Sequence, residues 1–393
     1  MTPLCVSAYT AVCAAGSGRG ALLSALRERR SGLRPNDFGV TPFATFTGRV
    51  PGIEASPLPA SLAEWECRNN RLAWMGLTAD GFDAAVGSAR SRYGAARIAV
   101  VMGTSTSSIG AGEEAYQNLT PSGEYPAALR RPVVHTPHSL GDFVQHALQL
   151  DGLSFTIATA CSSSAKAVAS AERLLRLGLA DAAVVGGVDT LCGSVLFGFN
   201  SLELLSARPC RPFDTARDGI SIGEAAAFML LERDGAGPRL LGYGESCDAY
   251  HMSSPHPEGL GARLAIEAAL QSAALQPESI DYINLHGTAS QKNDEIEARV
   301  VAELFPVQTL ASSTKGWTGH TLGAAGMLES VIALLALESG LAPGTLNSTS
   351  LDDACGPQIR TGNQPAPLHR VMSQSFGFGG NNCVLIFGDQ AAA

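Results

Sequence analysis

The sequence predicts a duplicated α/β architecture in two halves, and three observations carry that expectation. Phe155-Thr156-Ile157 is a run of strand formers that stops at Cys161 and hands over to a small-residue helical pattern running to Leu177, with Gly178 as a stop. The same grammar returns at Thr309 to Ser312, which leads through Lys315 and His320 into a helix of small and apolar residues, Leu322 to Glu338, stopped by Gly340. With 393 residues, 45% of them hydrophobic and 16% charged, the chain can bury a large core in two domains or in two halves of one body. Both central helices are expected to lie buried between sheets. The halves divide at the polar, glycine-rich link Arg233 to Pro238, giving 1–235 and 236–393.

Taken in order, Leu4 to Val12 reads as a strand and Gly20 to Arg30 as a helix, while Ser31 to Pro59, rich in Pro, Gly and Thr, reads as surface loop. Ala63 to Ser88 reads as one long helix, and Arg97 to Met102 as a buried strand ending at Gly103. The polar run Thr104 to Ser108 then faces something other than core. A helix over Leu140 to Leu148 precedes the cysteine strand, and Ala182 to Val188 is a further buried strand closed by Asp189. Ala225 to Leu231 is a strand as well. In the second half, Ile280 to Leu285 is a strand ending at His286, Glu295 to Leu304 a helix, and Cys383 to Phe387 a last strand.

Charge and cysteine usage bound the function classes. A net charge of −9 and a pI near 5.4 argue against a nucleic-acid binder, which needs a basic stripe. The nine cysteines are odd in number, scattered and without a C-x-x-C pair, the pattern of free thiols in a reducing compartment; cytoplasm is the expected location. Met1 to Gly16 has no basic region before it and reads as a first strand rather than a signal, and no apolar run of membrane-spanning length stands out.

Cys161 sits where a strand turns into a helix. A helix N-terminus offers unpaired N–H groups and partial positive charge, which favour thiolate, so Cys161 is a candidate nucleophile; the competing reading is a small buried residue under a sheet. His286 and His320 fall at similar handovers, where α/β sheets place ligand chemistry, although a histidine ending a buried strand is often structural. The run Gly377-Phe378-Gly379-Gly380 is either a turn or a set of backbone N–H groups aimed at an oxyanion.

Together these segments resemble the elongating β-ketoacyl-acyl carrier protein synthases, condensing enzymes of the thiolase superfamily. The resemblance rests on Thr159-Ala160-Cys161-Ser162-Ser163, Pro212-Phe213-Asp214 with Arg217-Asp218-Gly219, Asp248 to Pro255, His286-Gly287-Thr288, Lys315 to Gly326 and Gly377 to Gly380, in the family's order from Gly103 to Phe387. It implies a thiolase-like, five-layered αβαβα fold and a decarboxylative condensation without metal or organic cofactor. It assigns Cys161 the acyl thioester, the N–H groups of Cys161 and Phe378 the oxyanion, and His286 and His320 the malonyl thioester carbonyl. Lys315 and Glu329 match a buried ion pair that orients the histidines. Thr288, Ser290 and Ser253 match positions along the pantetheine arm.

The resemblance further implies an acyl carrier protein partner, with Arg68, Arg71, Arg130, Arg131 and Arg211 as candidate docking residues, and a homo- or heterodimer that buries Ala182 to Val188 against its mate. Departures from the family pattern are Gly316-Trp317 after Lys315, Asn381 in place of threonine, and Thr104 to Ser108 in place of a glycine-rich segment with a bulky aliphatic. Thr106 takes the aliphatic place in the acyl pocket, which points to a specialised product such as an aryl polyene as an alternative to fatty-acid elongation. Two rival readings are a non-catalytic chain-length-factor subunit, against which Cys161 and both histidines count, and a coenzyme A thiolase. The thiolase reading needs a second catalytic cysteine, and Cys383 in the last strand is expected to be core.

Overall fold

The computed structural model describes residues 1–390. The ten principal strands are β1 (Leu4–Cys13), β2 (Ile98–Gly103), β3 (Ser154–Ile157), β4 (Ala182–Asp189) and β5 (Ala225–Glu232), then β6 (Arg239–Cys247), β7 (Tyr282–Asn284), β8 (Leu310–Ser312), β9 (Arg370–Gly377) and β10 (Asn381–Gly388). In the first half they run in the spatial order β3-β2-β4-β5-β1, and in the second in the order β8-β7-β9-β10-β6. The pairings repeat too: β2 is parallel to β3 and β4, as β7 is to β8 and β9, and the remaining pairs β4–β5–β1 and β9–β10–β6 are antiparallel. One structural unit is used twice. A short antiparallel contact, Leu4 to Leu240 and Cys5 to Arg239, joins the two sheets.

Side chains alternate across each sheet and sort the core into layers. In β2, Ile98, Val100 and Met102 face an outer cluster with α2 (Arg68–Thr78), α3 (Phe82–Tyr93) and α5 (Ser139–Ala147), while Ala99 and Val101 face inward. The inner cluster holds α6 (Ser163–Arg176) and α11 (Ala325–Ser339), sandwiched between the sheets. Beyond the second sheet, α8 (Leu260–Ala273) and α9 (Gln291–Leu304) close the last layer. The remaining helices are α1 (Arg19–Glu28), α4 (Ile109–Gln117), α7 (Gly193–Ser201) and the short α10 (Lys315–Thr318). The five layers read as helices, sheet, helix pair, sheet, helices.

Close approach of α6 and α11 requires glycine at the contacts. A Cβ at Gly187 of β4 would lie 2.6 Å from Ser164 Cβ and 2.9 Å from Ala324 Cα, and one at Gly326 would lie 2.8 Å from Ala165 Cβ. Gly187 thus lets one strand touch α6 and the turn that opens α11.

Several expectations are corrected here. The long helix over Ala63 to Ser88 is two, because Asp80 and Gly81 adopt positive φ and break it between Thr78 and Phe82. β6, β9, α4, α7 and α8 carry no counterpart in the sequence reading. One stretch, Leu322–Ser339, is long and apolar enough to cross a membrane by length and composition, contrary to expectation; 89% of it is buried inside the fold, where a helix wrapped by two sheets has no polar face to keep. Finally, β4 is hydrogen-bonded on both edges within the chain, to β2 and β5, so Ala182 to Val188 has no free edge for a mate; the edge strand of that half is β3.

Candidate active site

The turn that presents Cys161 is built by its neighbours. Ala160 adopts φ +52°, a left-handed conformation that costs a non-glycine residue energy and persists only where surroundings hold it. Ser162 and Ser163 supply that hold: Ser162 Oγ donates to Thr159 O at 3.0 Å, Ser163 Oγ donates to Ala160 O at 2.5 Å, and Thr159 N donates to Ser163 Oγ at 2.9 Å. Ser164 ties the nucleophile's helix to its twin, accepting from Met327 N at 2.9 Å. All three serines are fully buried, and the sequence reading gave them no role.

The second half brings its histidines to the same point. His320 Nε2 lies 3.0 Å from Cys161 Sγ, and the His286 and His320 rings meet edge to face with centroids 5.3 Å apart. The cysteine sulfur and one nitrogen from each histidine all fall within 4.8 Å of one another. Cysteine and histidine donors in such a group also have the chemistry of a zinc site. The backbone N–H of Phe378 also acts on the sulfur, which sits at the opening of a helix.

Burial governs protonation in this pocket. It holds both imidazoles well below their usual range, aided by the positive charge of Lys315 and, for His286, by His320. Both rings are therefore neutral at neutral pH. Their Nδ1 atoms are buried without a protein partner. Burial also pushes the Cys161 thiol up to about 11, against the pull of Lys315 and the Phe378 N–H. Burial therefore opposes the pull toward thiolate expected of the helix terminus.

Lys315 and Glu329 are paired and fully buried, as their motif predicts. Lys315 Nζ also donates to the His286 carbonyl at 2.5 Å, which fixes the histidine through its backbone. Burial lifts the Glu329 carboxyl to about 7 while Lys315 pulls the other way. Two acids escaped the sequence reading. Glu297 of α9 accepts from the N–H groups of His286 and Gly287, both at 2.7 Å, and Asp294 accepts from Phe213, Thr288 and Ala289. Their spacing of three on one helix face was the available signal.

A cavity of about 350 Å³ leads from the surface to Cys161, and Ser253, Thr288, Ser290, His286, His320 and Phe378 line it. A second cavity of about 630 Å³ shares Cys161, Phe199, Leu202 and Phe378 with the first and is further walled by Ser105, Thr106, Ile109 and Val195. The Phe199 and Phe378 rings stack at 5.8 Å where the two cavities meet. Thr106 lines the second cavity as predicted, but its hydroxyl is engaged, donating to Asp189 Oδ1 at 2.6 Å. Asp189 also receives Thr104 Oγ1 and the N–H groups of Ser105 and Thr106, so one buried carboxylate shapes that wall. Glu113 of α4 accepts from Gly193 N and Ser194 N, tying α4 to α7 across the same cavity.

The five arginines are not gathered at the cavity mouth. Arg68 is ion-paired with Glu54 and the buried Glu224, Arg71 with Glu66, and Arg130 with Glu124. Arg131 donates to Glu66 O, and Arg211 lies 3.8 Å from Asp218, a residue of the cavity lining. Cys383 is fully buried in β10 and lines neither cavity. Trp317 is buried with its Nε1 donating to Ala25 O, so that departure from the family pattern is a packing feature.

The family models described as beta-ketoacyl synthase, N-terminal domain, and beta-ketoacyl synthase, C-terminal domain, match residues 70–236 and 239–349. A ketosynthase (ApeO) solved in complex with its chain length factor (ApeC) from Xenorhabdus doucetiae is 38% identical, with a TM-score of 0.90 over 99% of this chain and 98% of that one. The chain belongs to the β-ketoacyl synthase family. Other β-ketoacyl synthases similar to it are the mitochondrial 3-oxoacyl-[acyl-carrier-protein] synthase of Arabidopsis thaliana, 38% identical over 60% of this chain, and 3-oxoacyl-[acyl-carrier-protein] synthase 2 of Coxiella burnetii, 37% identical over 60%. The matched stretch spans 56% and 62% of the length of those two relatives. The ishigamide ketosynthase/chain length factor is 26% identical with a TM-score of 0.87.

Proposed function

We propose that this β-ketoacyl synthase catalyses decarboxylative condensation of an acyl group held on Cys161 with a malonyl thioester carried by acyl carrier protein. The observation that carries the reading is the convergence of one thiol and two neutral imidazoles at the junction of two cavities, one for each substrate arm. In the first half-reaction Cys161 Sγ attacks the acyl thioester, and the N–H groups of Cys161 and Phe378 hold the tetrahedral oxyanion. The carbonyl re-forms, the pantetheine sulfur leaves, and the thiol proton departs with it.

In the second half-reaction the malonyl thioester oxygen accepts from Nε2–H of His286 and His320. Carbon dioxide leaves, and the electron pair of the broken bond forms an enolate that two donors stabilise. The enolate carbon attacks acyl-Cys161, expels the thiolate, and yields a 3-oxoacyl thioester two carbons longer. Cys161 regains its proton from solvent. Neutral rings suit this role, because each must donate a hydrogen bond without being consumed as an acid.

We also propose a polyene-type rather than a housekeeping acyl chain, and a heterodimer with a chain-length-factor subunit. The small, hydroxyl-bearing Thr106 in the acyl cavity supports the first. Support for the second comes from the similar ketosynthases that were solved with chain length factors. The test is incubation with a panel of saturated and polyenoyl carrier-protein thioesters plus malonyl carrier protein, with and without a co-expressed chain-length-factor subunit, products being identified by mass. Condensation of saturated chains alone, by a homodimer, would refute the polyene reading; no condensation with any thioester would refute the enzyme reading.

A further inference from the structure

We propose that Lys292 binds the phosphodiester at the outer end of the carrier's pantetheine arm. This rests on the condensing reading and adds to it an anion site which the family motifs do not assign. Among the described residues that line the catalytic cavity, Lys292 is the only lysine or arginine. The other charged groups there are the carboxylates Glu203, Asp218 and Asp248. Asp218 is ion-paired with Arg208 and Asp248 accepts from the Asn382 amide and the His256 N–H, while Glu203 keeps its charge, so Lys292 is the cation of an otherwise acidic lining.

Its place matches the chemistry of the arm. Burial falls along this lining: Cys161, His286, His320 and Thr288 are buried, Ser290 is half-buried, and Lys292, two residues later in the first turn of α9, is exposed. An arm with its sulfur at Cys161 has amides along its length and one anionic phosphodiester at the far end. Neutral donors and acceptors belong along the wall, and a cation belongs at the rim. Lys292 also lines an adjoining cavity of about 420 Å³ with His251 and Arg299, so it stands at the junction of the entry and a second surface recess.

The side chain is free to take the role. It is 69% exposed, and its intramolecular partner is Glu295 at 3.2 Å, an i,i+3 surface pair of little worth. Glu295 keeps a second cation, Arg299, at 3.6 Å when Lys292 swings to a phosphate. Exchanging a weak solvated pair for a charge-assisted bond to a fixed phosphodiester is favourable.

Direct binding of the free arm tests this without catalysis. Phosphopantetheine should bind the wild-type protein about fivefold tighter than pantetheine at low salt, and the preference should shrink as salt rises. Lys292→Gln should abolish the preference and Lys292→Arg restore it. With acyl-phosphopantetheine as substrate, Lys292→Gln should raise KM for Cys161 acylation with little change in kcat. Equal binding of the two arms by the wild type, or a preference that survives in Lys292→Gln, overturns the assignment. Failure of any thioester to acylate Cys161, with the phosphate preference intact, would sink the condensing reading while supporting the anion site.

Discussion

His320 Nε2 and Cys161 Sγ lie 3.0 Å apart although 159 positions separate them in the chain. The contact joins the helix-entry loops of two copies of one structural unit, so each half supplies part of a site that neither holds alone.

The two half-reactions should separate under mutation. His286→Ala and His320→Ala should still be acylated at Cys161, because the acyl oxyanion is held by backbone N–H groups, yet condense about a hundred- to a thousandfold more slowly. Cys161→Ala should form no acyl-enzyme. Intact-protein mass spectrometry reads the first step and carbon dioxide release the second. Histidine variants that never gain the acyl adduct but decarboxylate malonyl carrier protein normally would reverse the roles.

Thiol ionisation should be late. With the Cys161 thiol pushed up to about 11, the thiolate fraction, and with it the rate of alkylation by iodoacetamide, should climb about tenfold per pH unit from pH 7 to 9. A plateau below pH 8 would mean that the helix terminus prevails over burial.

Lys315→Met should destabilise the fold by about 3–5 kcal/mol at pH 8, since it leaves Glu329 buried without its counter-charge. The Glu329 carboxyl sits near 7, above its unfolded value, so its protonated form favours the folded state. That contribution is full below the unfolded value and is lost as pH rises through the folded one, so the deficit of Lys315→Met should shrink toward pH 5. Adding Glu329→Leu should recover stability but not condensation. Denaturant melts at both pH values check the sign; a deficit that grows on acidification would contradict it.

Thr106→Ile should shorten the longest acyl chain accepted while leaving acylation by short chains nearly intact. It also removes a hydrogen bond to Asp189, so a loss of about 1–3 kcal/mol is expected, and Thr106→Val separates that loss from the added bulk. Product mass distributions decide it; unchanged chain selectivity in Thr106→Ile would move Thr106 out of the channel.

Legibility of the fold followed local regularity. α6 and α11 were readable because small-residue helical periodicity and a glycine stop are properties of a dozen consecutive residues. β6 was not, since Gly242 and Gly244 interrupt its strand pattern; a Cβ at Gly244 would lie 2.0 Å from Ala265 O of α8, so the glycine is there for packing that only the fold reveals. β9 was hidden by Ser373, Gln374 and Ser375, polar residues buried in the sheet interior. The docking arginines were placed by motif position alone, and the fold engages Arg68 and Arg71 with its own carboxylates.

The sequence by itself determined the reacting groups: a cysteine at a strand-to-helix turn, two histidines at equivalent handovers, a lysine and glutamate in register, and a glycine run offering N–H groups. The cysteine turn, the handovers and the glycine run are matters of local backbone conformation and residue chemistry, whereas the Lys315–Glu329 pair and the histidines' roles came from the resemblance to the family. The tertiary structure decided what state those groups are in and what they touch. Desolvation, which depends on everything packed around a side chain, keeps Cys161 a thiol and both imidazoles neutral. It also took the fold to set Asp189 behind Thr106, Glu297 behind His286 and Lys292 at the rim, because long-range pairing in a duplicated sheet leaves no mark in neighbouring residues.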